Sequence, residues 1–70
     1  MSTIKKFGRV FSEVLGRPGL RQVDVSRLTG ISSADVSRMV KTAVESGLIR
    51  KAEGKLYPGS LVEEYRRRAV

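Results

Sequence analysis

The sequence predicts a small, mostly helical α+β domain with a three-helix core, a β-hairpin and a fourth, C-terminal helix. In three separate segments, apolar residues recur three or four positions apart, and a glycine follows each segment. The stretch "LIRKAEGKLYPG" instead has two short runs with apolar residues around Glu53-Gly54, which favours a hairpin. A chain of 70 residues is expected to form one domain, over residues 1–70, with a marginal hydrophobic core.

The first helix is predicted over residues 3–15. Its apolar side chains fall on one stripe at helical spacing: Ile4, Phe7, Phe11, Val14 and Leu15. Gly16 and Pro18 then interrupt the pattern, so we expect the helix to end there.

The second helix is predicted over residues 21–29, with Val25 and Leu28 on its inner face. Gly30 follows directly. A glycine at this position closes a helix in a left-handed conformation without a side-chain clash. We therefore expect a tight turn at Gly30.

The third helix is predicted over residues 32–46. Ser32 is a plausible N-cap, and Asp35 places an acidic group in the first turn, where the helix dipole favours it. Gly47 is the expected stop. The inner face is expected to carry Val36, Met39, Val40, Ala43 and Val44.

The hairpin is predicted over residues 48–58 and should end at Pro58, because proline cannot donate to a strand ladder. After it, Ser60 and Glu63 have the spacing of a capping box before "LVEEYRRRAV". This pattern predicts the fourth helix.

The stretch "RQVDVSRLTGISSADVSRMV", residues 21–40, has the spacing of a helix-turn-helix. In that motif two helices cross steeply through a tight turn, so that the second can enter the major groove of DNA. Ser26 supplies the small residue at the crossing, and Gly30 supplies the turn. The residues expected to lock the helices together are Val25, Ile31, Val36 and Met39. We predict a helix-turn-helix over residues 21–46; the alternative is another three-helix bundle with a glycine turn.

With the hairpin as a wing, residues 20–61 resemble the N-terminal DNA-binding domain of IclR-type bacterial transcription regulators, to which the MarR-type domain is related. The similarity rests on "LTGISSADVSRMVKTAVESGLI" and on "GKLYPGSLV", which runs from the wing into a linking helix. The resemblance implies a winged helix-turn-helix with residues 32–46 as recognition helix. IclR-type regulators continue into a ligand-binding domain that this sequence does not include. We therefore expect either an excised domain or a stand-alone regulator, and effector control is not carried over.

Candidate DNA contacts lie on the outer face of the third helix, because the motif brings its N-terminal residues to the base edges. Arg38 can pair through its fork with guanine, and Ala34 can pack on a thymine methyl. Ser33 and Ser37 could bond bases or phosphates, and Gln22 is placed for a phosphate. Lys41 is a further candidate on the same face. For each of these residues the alternative is a solvated helix face.

Five further candidates flank this face. Ser32 lies at the start of the helix, and the resemblance puts Asp35 near this same DNA-facing start. A carboxylate there is repelled by phosphate but can accept from a cytosine amino group. On the wing, Arg50, Lys51 and Lys55 can meet the DNA backbone or the minor groove.

The 14 Lys and Arg residues against seven Asp and Glu give a formal charge of +7, which favours an anionic partner, most often nucleic acid. Residues 22–49 contribute nothing to this surplus, because three cations there meet three carboxylates. Residues 1–21 carry five cations and one carboxylate, and residues 50–70 carry six cations and three carboxylates. We therefore expect most phosphate attraction to come from the flanks.

Several classes of protein are disfavoured by composition. Without cysteine or histidine, the chain has no disulfide, no cysteine-based zinc site and no nucleophile or base of those types. Scattered carboxylates and no glycine-rich phosphate loop argue against an enzyme. We expect no cofactor, metal or small-molecule site. No apolar run approaches the roughly 20 residues of a membrane span, and "MSTIKKFGRVFSEVLG" lacks the core of a signal peptide, so we expect a cytoplasmic protein.

Two functions remain open from sequence. The first is sequence-specific binding of double-stranded DNA as a transcription regulator, working as a homodimer. For dimerisation, Leu61, Tyr65 and Ala69 fall four apart on the fourth helix beside Val62; the alternative is that this stripe packs on its own domain. The second function is a winged-helix module that binds protein within a larger assembly, which the neutral helix-turn-helix keeps open.

Overall fold

The computed structural model describes residues 3–69. Within this range the elements are α1 (Thr3–Gly16), β1 (Leu20–Arg21), α2 (Gln22–Thr29), α3 (Ser33–Glu45), β2 (Ile49–Ala52), β3 (Lys55–Pro58) and α4 (Ser60–Ala69). The predicted α+β class, with its three-helix core, hairpin and fourth helix, is confirmed. Residues 1, 2 and 70, which the predicted domain includes, lie outside the described range.

Helix α1 covers one side of the core. Val10 and Val14 are buried, and Phe7 and Phe11 pack against the core with their rings 6.1 Å apart. Ile4 lies on the predicted apolar stripe but not in the core, since its side chain is 85% exposed. It lies in the first turn of the helix, three residues before Phe7, which packs against the core.

Helix α2 presents Val25 to the core as predicted, but not Leu28, which is 44% exposed. Thr29, four residues after Val25, takes the inner position instead. A buried hydroxyl needs hydrogen-bond partners, and Thr29 Oγ1 has two: it donates to the Val25 carbonyl at 2.7 Å and accepts from the Ile31 N–H at 3.3 Å. Because these bonds satisfy the hydroxyl, threonine can lie where an apolar residue was expected.

The turn between α2 and α3 has the predicted chemistry. Gly30 adopts a φ of 73°, in the left-handed region, and its N–H donates to the Ser26 carbonyl. The Ser26 hydroxyl donates in turn to the Ile31 carbonyl at 2.6 Å, and the Ile31 side chain is buried. The small residue and the glycine thus fix the crossing of the two helices.

Helix α3 begins as predicted, with the Ser32 hydroxyl accepting the Asp35 N–H at 3.3 Å. Its inner face buries Val36, Val40 and Ala43, with Met39 packed at the edge. The prediction that Val44 belongs to this face is wrong: its side chain is exposed, because it turns toward a groove between α3 and β2. After α3, Gly47 has a φ of 81°.

The hairpin forms an antiparallel sheet of order β1-β3-β2. Glu53 and Gly54, both with positive φ, make the tight turn between β2 and β3. Strand β1 was not predicted: two residues are too few to show a periodic pattern, and it pairs with β3 from across the sequence. Ile49 and Leu56 face the helices and are buried.

Helix α4 begins at Ser60 itself, one residue earlier than it would if Ser60 were its N-cap. Ser60 lies within the helix, and the Glu63 N–H donates to the Gly59 carbonyl at 3.1 Å. Gly59 fits this place because its backbone touches that of Gly47: an added Cβ would lie 2.2 Å from the Gly47 oxygen. The Ser60 capping prediction is therefore wrong, although the helix itself is present. Among residues 3–69, no helix is long and apolar enough to cross a membrane.

Candidate nucleic-acid interface

The outer face of α3 is open to solvent. Val36, Val40 and Ala43 point into the core, and within residues 3–69 no element covers the opposite side of the helix. Its predicted contact residues are all exposed: Ser33, Ala34, Ser37, Arg38 and Lys41. At the start of the same helix, Ser32 is also exposed, but its oxygen caps the helix backbone. This surface offers hydroxyls, a guanidinium and an ammonium to a partner.

Asp35 differs from these neighbours, because its carboxylate is engaged by two cations. It accepts a hydrogen bond from the Arg38 guanidinium and another from Lys6 Nζ at 3.4 Å. The Arg38 hydrogen bond holds the pKa of the Asp35 carboxyl below its usual value; partial burial opposes this, and Lys6 adds to it. Asp35 is therefore ionised at neutral pH.

Lys6, predicted only as one of the five cations in residues 1–21, is an interface candidate because it contacts Asp35. It belongs to α1 and is 29 residues from Asp35, so no local pattern could bring them together. The two residues line a cleft of about 410 Å³ between α1 and α3, together with Phe7, Arg38, Met39 and Thr42. The cleft adds a positive charge from α1 to the N-terminal half of α3.

A second groove, also of about 410 Å³, lies between α3 and β2. Four of the predicted contact residues line it, from three different elements: Gln22, Ser37, Lys41 and Lys51. Val40, Val44 and Glu45 complete the lining. The fold thus brings the start of α2, the outer face of α3 and one wing lysine to a common surface.

The three predicted wing cations lie on two faces of the sheet. Antiparallel partners point to the same side, so Lys51, opposite buried Leu56, lies on the side facing the helices. Arg50 pairs with Tyr57 on the other side, where its guanidinium carbon lies 4.7 Å from the ring centre. Lys55 shares that outer side. The prediction had treated the three charges as one group.

Arg21, counted from sequence only among the cations of residues 1–21, was not predicted to lie beside the wing cations. It is the β1 partner of Lys55 and therefore joins Arg50 and Lys55 on the outer side of the sheet. Only the pairing of β1 with β3 brings it there. To predict this position of Arg21, the two residues "LR" before α2 would have had to be recognised as a third strand.

Residues 8–55 match the sequence pattern of the MarR family. The chain belongs to this family. The matched stretch runs from within α1 to Lys55, the first residue of β3, and so contains the whole helix-turn-helix and the first strand and turn of the wing. No curated protein matches the chain.

Two solved structures have the same architecture as this MarR-family chain. A putative IclR transcriptional regulator from Silicibacter sp. TM1040 is 26% identical with a TM-score of 0.82, over 100% of this chain and 29% of that one. An IclR homolog from Microbacterium sp. strain HM58-2 is 24% identical with a TM-score of 0.79, over 97% and 29% of the two chains. At this lower identity, the similarity to the Microbacterium protein shows only that the fold is shared. The chain spans less than a third of the length of each.

These comparisons confirm the resemblance drawn from the sequence. The MarR-family match and the Silicibacter neighbour identify the chain as a winged helix-turn-helix domain of the DNA-binding type found in transcription regulators, and the Microbacterium neighbour supports the fold. Regulators of this type are typically not enzymes. Among residues 3–69, no three acidic side chains lie close enough together to hold a metal ion.

Proposed function

We propose that this MarR-family domain binds double-stranded DNA sequence-specifically as part of a transcription regulator, with α3 as its recognition helix. The observation that carries the proposal is the exposed polar and basic face of α3, flanked by Lys6 on one side and Lys51 on the other. As a regulator acting on the chromosome, the protein would work in the cytoplasm.

The dimensions of α3 suit a major groove. Its 13 residues span about 20 Å, and a helix about 10–12 Å across fits a groove about 12 Å wide. Within that groove, Arg38 is our proposed guanine reader. Ser33, Ala34 and Ser37 contact neighbouring base edges or phosphates. Each of these side chains projects from the exposed face.

Phosphate contacts are assigned to Lys41 on α3 and to the elements around this helix, since phosphate contacts position a protein and base contacts specify its site. Gln22, Lys41 and Lys51 line one groove beside the helix and can follow one DNA strand. Arg50 and Lys55, on the outer side of the sheet, extend the positive surface toward the minor groove. This division agrees with the lack of net charge over residues 22–49.

A second copy of the chain is the proposed protein partner. An apolar groove between α1 and α4 is lined mainly by Phe11, Leu15, Leu48, Leu61, Val62 and Tyr65. α4 does not bury its predicted stripe on its own domain, because Leu61 and Tyr65 remain exposed. Apolar surface left open in this way favours association, and a two-fold pair would present two copies of α3 to DNA.

One measurement tests the DNA-binding function. Binding of a labelled duplex is followed across a salt series, first with random sequences and then with a site selected from a random pool. A DNA-binding domain loses affinity steeply as salt rises, with a log–log slope of about 0.9 per phosphate contacted. The selected site should bind at least about a thousandfold more tightly than random duplex.

The alternative is a winged-helix module that binds protein, and the neutral helix-turn-helix is the observation in its favour. The same experiment separates the two functions. Duplex binding that is absent, or insensitive to salt, contradicts the DNA-binding proposal and leaves the protein-binding module. Salt-sensitive binding without any preferred sequence would contradict only the sequence specificity.

A further inference from the structure

Three charged side chains meet at the N-terminal half of α3. The Asp35 carboxylate accepts hydrogen bonds from Arg38, on the next turn of α3, and from Lys6 on α1. The Asp35 side chain is 26% exposed and that of Arg38 is 77% exposed. The carboxylate is therefore the more enclosed of the two groups and lies beneath the guanidinium, which is open to solvent.

The position of Asp35 is itself fixed from the helix backbone. Its N–H is bonded to the Ser32 hydroxyl, and a carboxylate in the first turn is favoured by the helix dipole. Lys6 adds an attachment to a different helix. Asp35 is thus held at its backbone by Ser32 and at its carboxylate by Lys6. A carboxylate held in this way can orient the Arg38 guanidinium that is bonded to it.

Orientation matters for Arg38 because an arginine side chain has many rotamers. Fixing a free arginine side chain in one geometry costs conformational entropy. Pairing a guanidinium with both guanine acceptors requires one orientation of its plane. A carboxylate beneath the guanidinium restricts that plane before DNA arrives, which reduces the cost of specific binding.

We propose that Asp35 is a positioning residue for sequence recognition: it orients the Arg38 guanidinium on the outer face of α3 and holds Lys6 of α1 beside it. This role rests on the proposed DNA-binding function. Asp35 acts through Arg38 and makes no base contact of its own. Its negative charge also weakens the attraction of Arg38 and Lys6 for phosphate on any sequence, so it lowers non-specific affinity while supporting the specific contact.

The test compares Asp35→Asn with Glu64→Gln on the selected duplex and on a scrambled one. Glu64 is a matched control because it is ion-paired to Arg68 at 2.7 Å on α4, and both variants remove one negative charge. For Asp35→Asn we expect tighter binding of the scrambled duplex, a salt slope steeper by up to about two, and roughly tenfold lower discrimination between the duplexes. Glu64→Gln should keep the parent's discrimination.

Asp35→Glu separates orientation from charge, and it keeps the acidic group should the asparagine variant fold poorly. The extra methylene displaces the carboxylate, so discrimination should fall while binding of the scrambled duplex stays at the parent's level. In an Arg38→Ala background, Asp35→Asn should cause no further loss of discrimination, because the residue it positions is gone. A further loss there would contradict action through Arg38.

The outcomes distinguish this inference from the function on which it rests. If the parent protein binds neither duplex, the proposed function fails and the inference fails with it. If the parent discriminates and Asp35→Asn behaves like Glu64→Gln, only the positioning role is refuted. If Asp35 had only a structural role, Asp35→Asn would lower thermal stability and weaken binding of both duplexes equally. That result would also refute positioning.

Discussion

The guanidinium of Arg38 is exposed to solvent and at the same time held by a neighbouring carboxylate. Exposure means that its removal should not disturb the core, and the ion pair itself stabilises the fold little, as is usual for surface pairs. The residue can therefore be changed to probe binding separately from folding.

Arg38→Ala is expected to weaken binding to the selected duplex by about 1–3 kcal/mol, the value of one good base contact, without changing the thermal melt. Arg17→Ala is the matched control, because Arg17, one residue after the end of α1, is also an exposed ion-paired arginine, with Glu13 as its partner. Titration of the selected and scrambled duplexes measures the effect. Parent-like affinity for the selected duplex would show that Arg38 does not read it.

Val36 tests the rotation of α3 about its axis. Its side chain is fully buried, so Val36→Ala removes two methyl groups and should cost about 2 kcal/mol of unfolding free energy. Val23, exposed on α2, is the control, and Val23→Ala should change stability by less than about 0.5 kcal/mol. Urea unfolding compares the two. Equal midpoints would mean that the inner and outer faces of α3 are wrongly assigned.

At the scale of elements, the wing presents cations on both of its sides. Lys51 faces α3, whereas Arg50 stacks on Tyr57 on the outer side. Replacing Arg50, Lys51 and Lys55 together by glutamine should weaken binding about equally on all sequences. The salt slope should fall by up to about three, with Lys51→Gln alone accounting for about one unit. An unchanged slope in the triple variant would place the wing away from DNA.

The junction between α3 and α4 depends on two glycines. Gly59 donates to the Leu48 carbonyl and touches the Gly47 backbone, so an added methyl must displace the chain. Gly59→Ala is expected to cost about 1–3 kcal/mol of stability, as overpacking does. Gly8, inside α1 with open space around it, is the control: Gly8→Ala should stabilise by up to about 1 kcal/mol. Thermal melts that rank the two in the opposite order would contradict the close contact.

Local patterns in the sequence predicted the elements that repeat over several residues. The three core helices and the hairpin follow from apolar spacing and glycine stops, and these are present. The errors arise where tertiary contacts decide: Thr29 replaces Leu28 because its hydroxyl finds partners, and β1 exists only through its pairing with β3. The Lys6–Asp35 contact joins residues 29 positions apart, which a single sequence does not reveal. The outer face of α3 could be predicted because apolar spacing identifies the inner face, and the outer face is the side opposite to it.

At the scale of the molecule, one domain is small beside its proposed target. The described chain measures 34 × 28 × 20 Å, and one turn of duplex DNA is about 34 Å long. A single domain therefore covers a short half-site. Pairing two domains on a two-fold site would multiply both contacts and specificity.

The final prediction is that the protein is a homodimer through the groove between α1 and α4. Tyr65 is 75% exposed at its rim, so Tyr65→Ser should shift the parent dimer toward monomer. Val23→Ser, at an exposed position of α2 outside this groove, should not. The formal charge of +7 per chain opposes pairing, but near 0.15 M salt repulsion is screened beyond about 8 Å. Sedimentation equilibrium at that salt, with and without duplex, measures the mass. A monomer in both conditions, with one chain per duplex, would exclude the dimer, and α4 would then serve only its own domain.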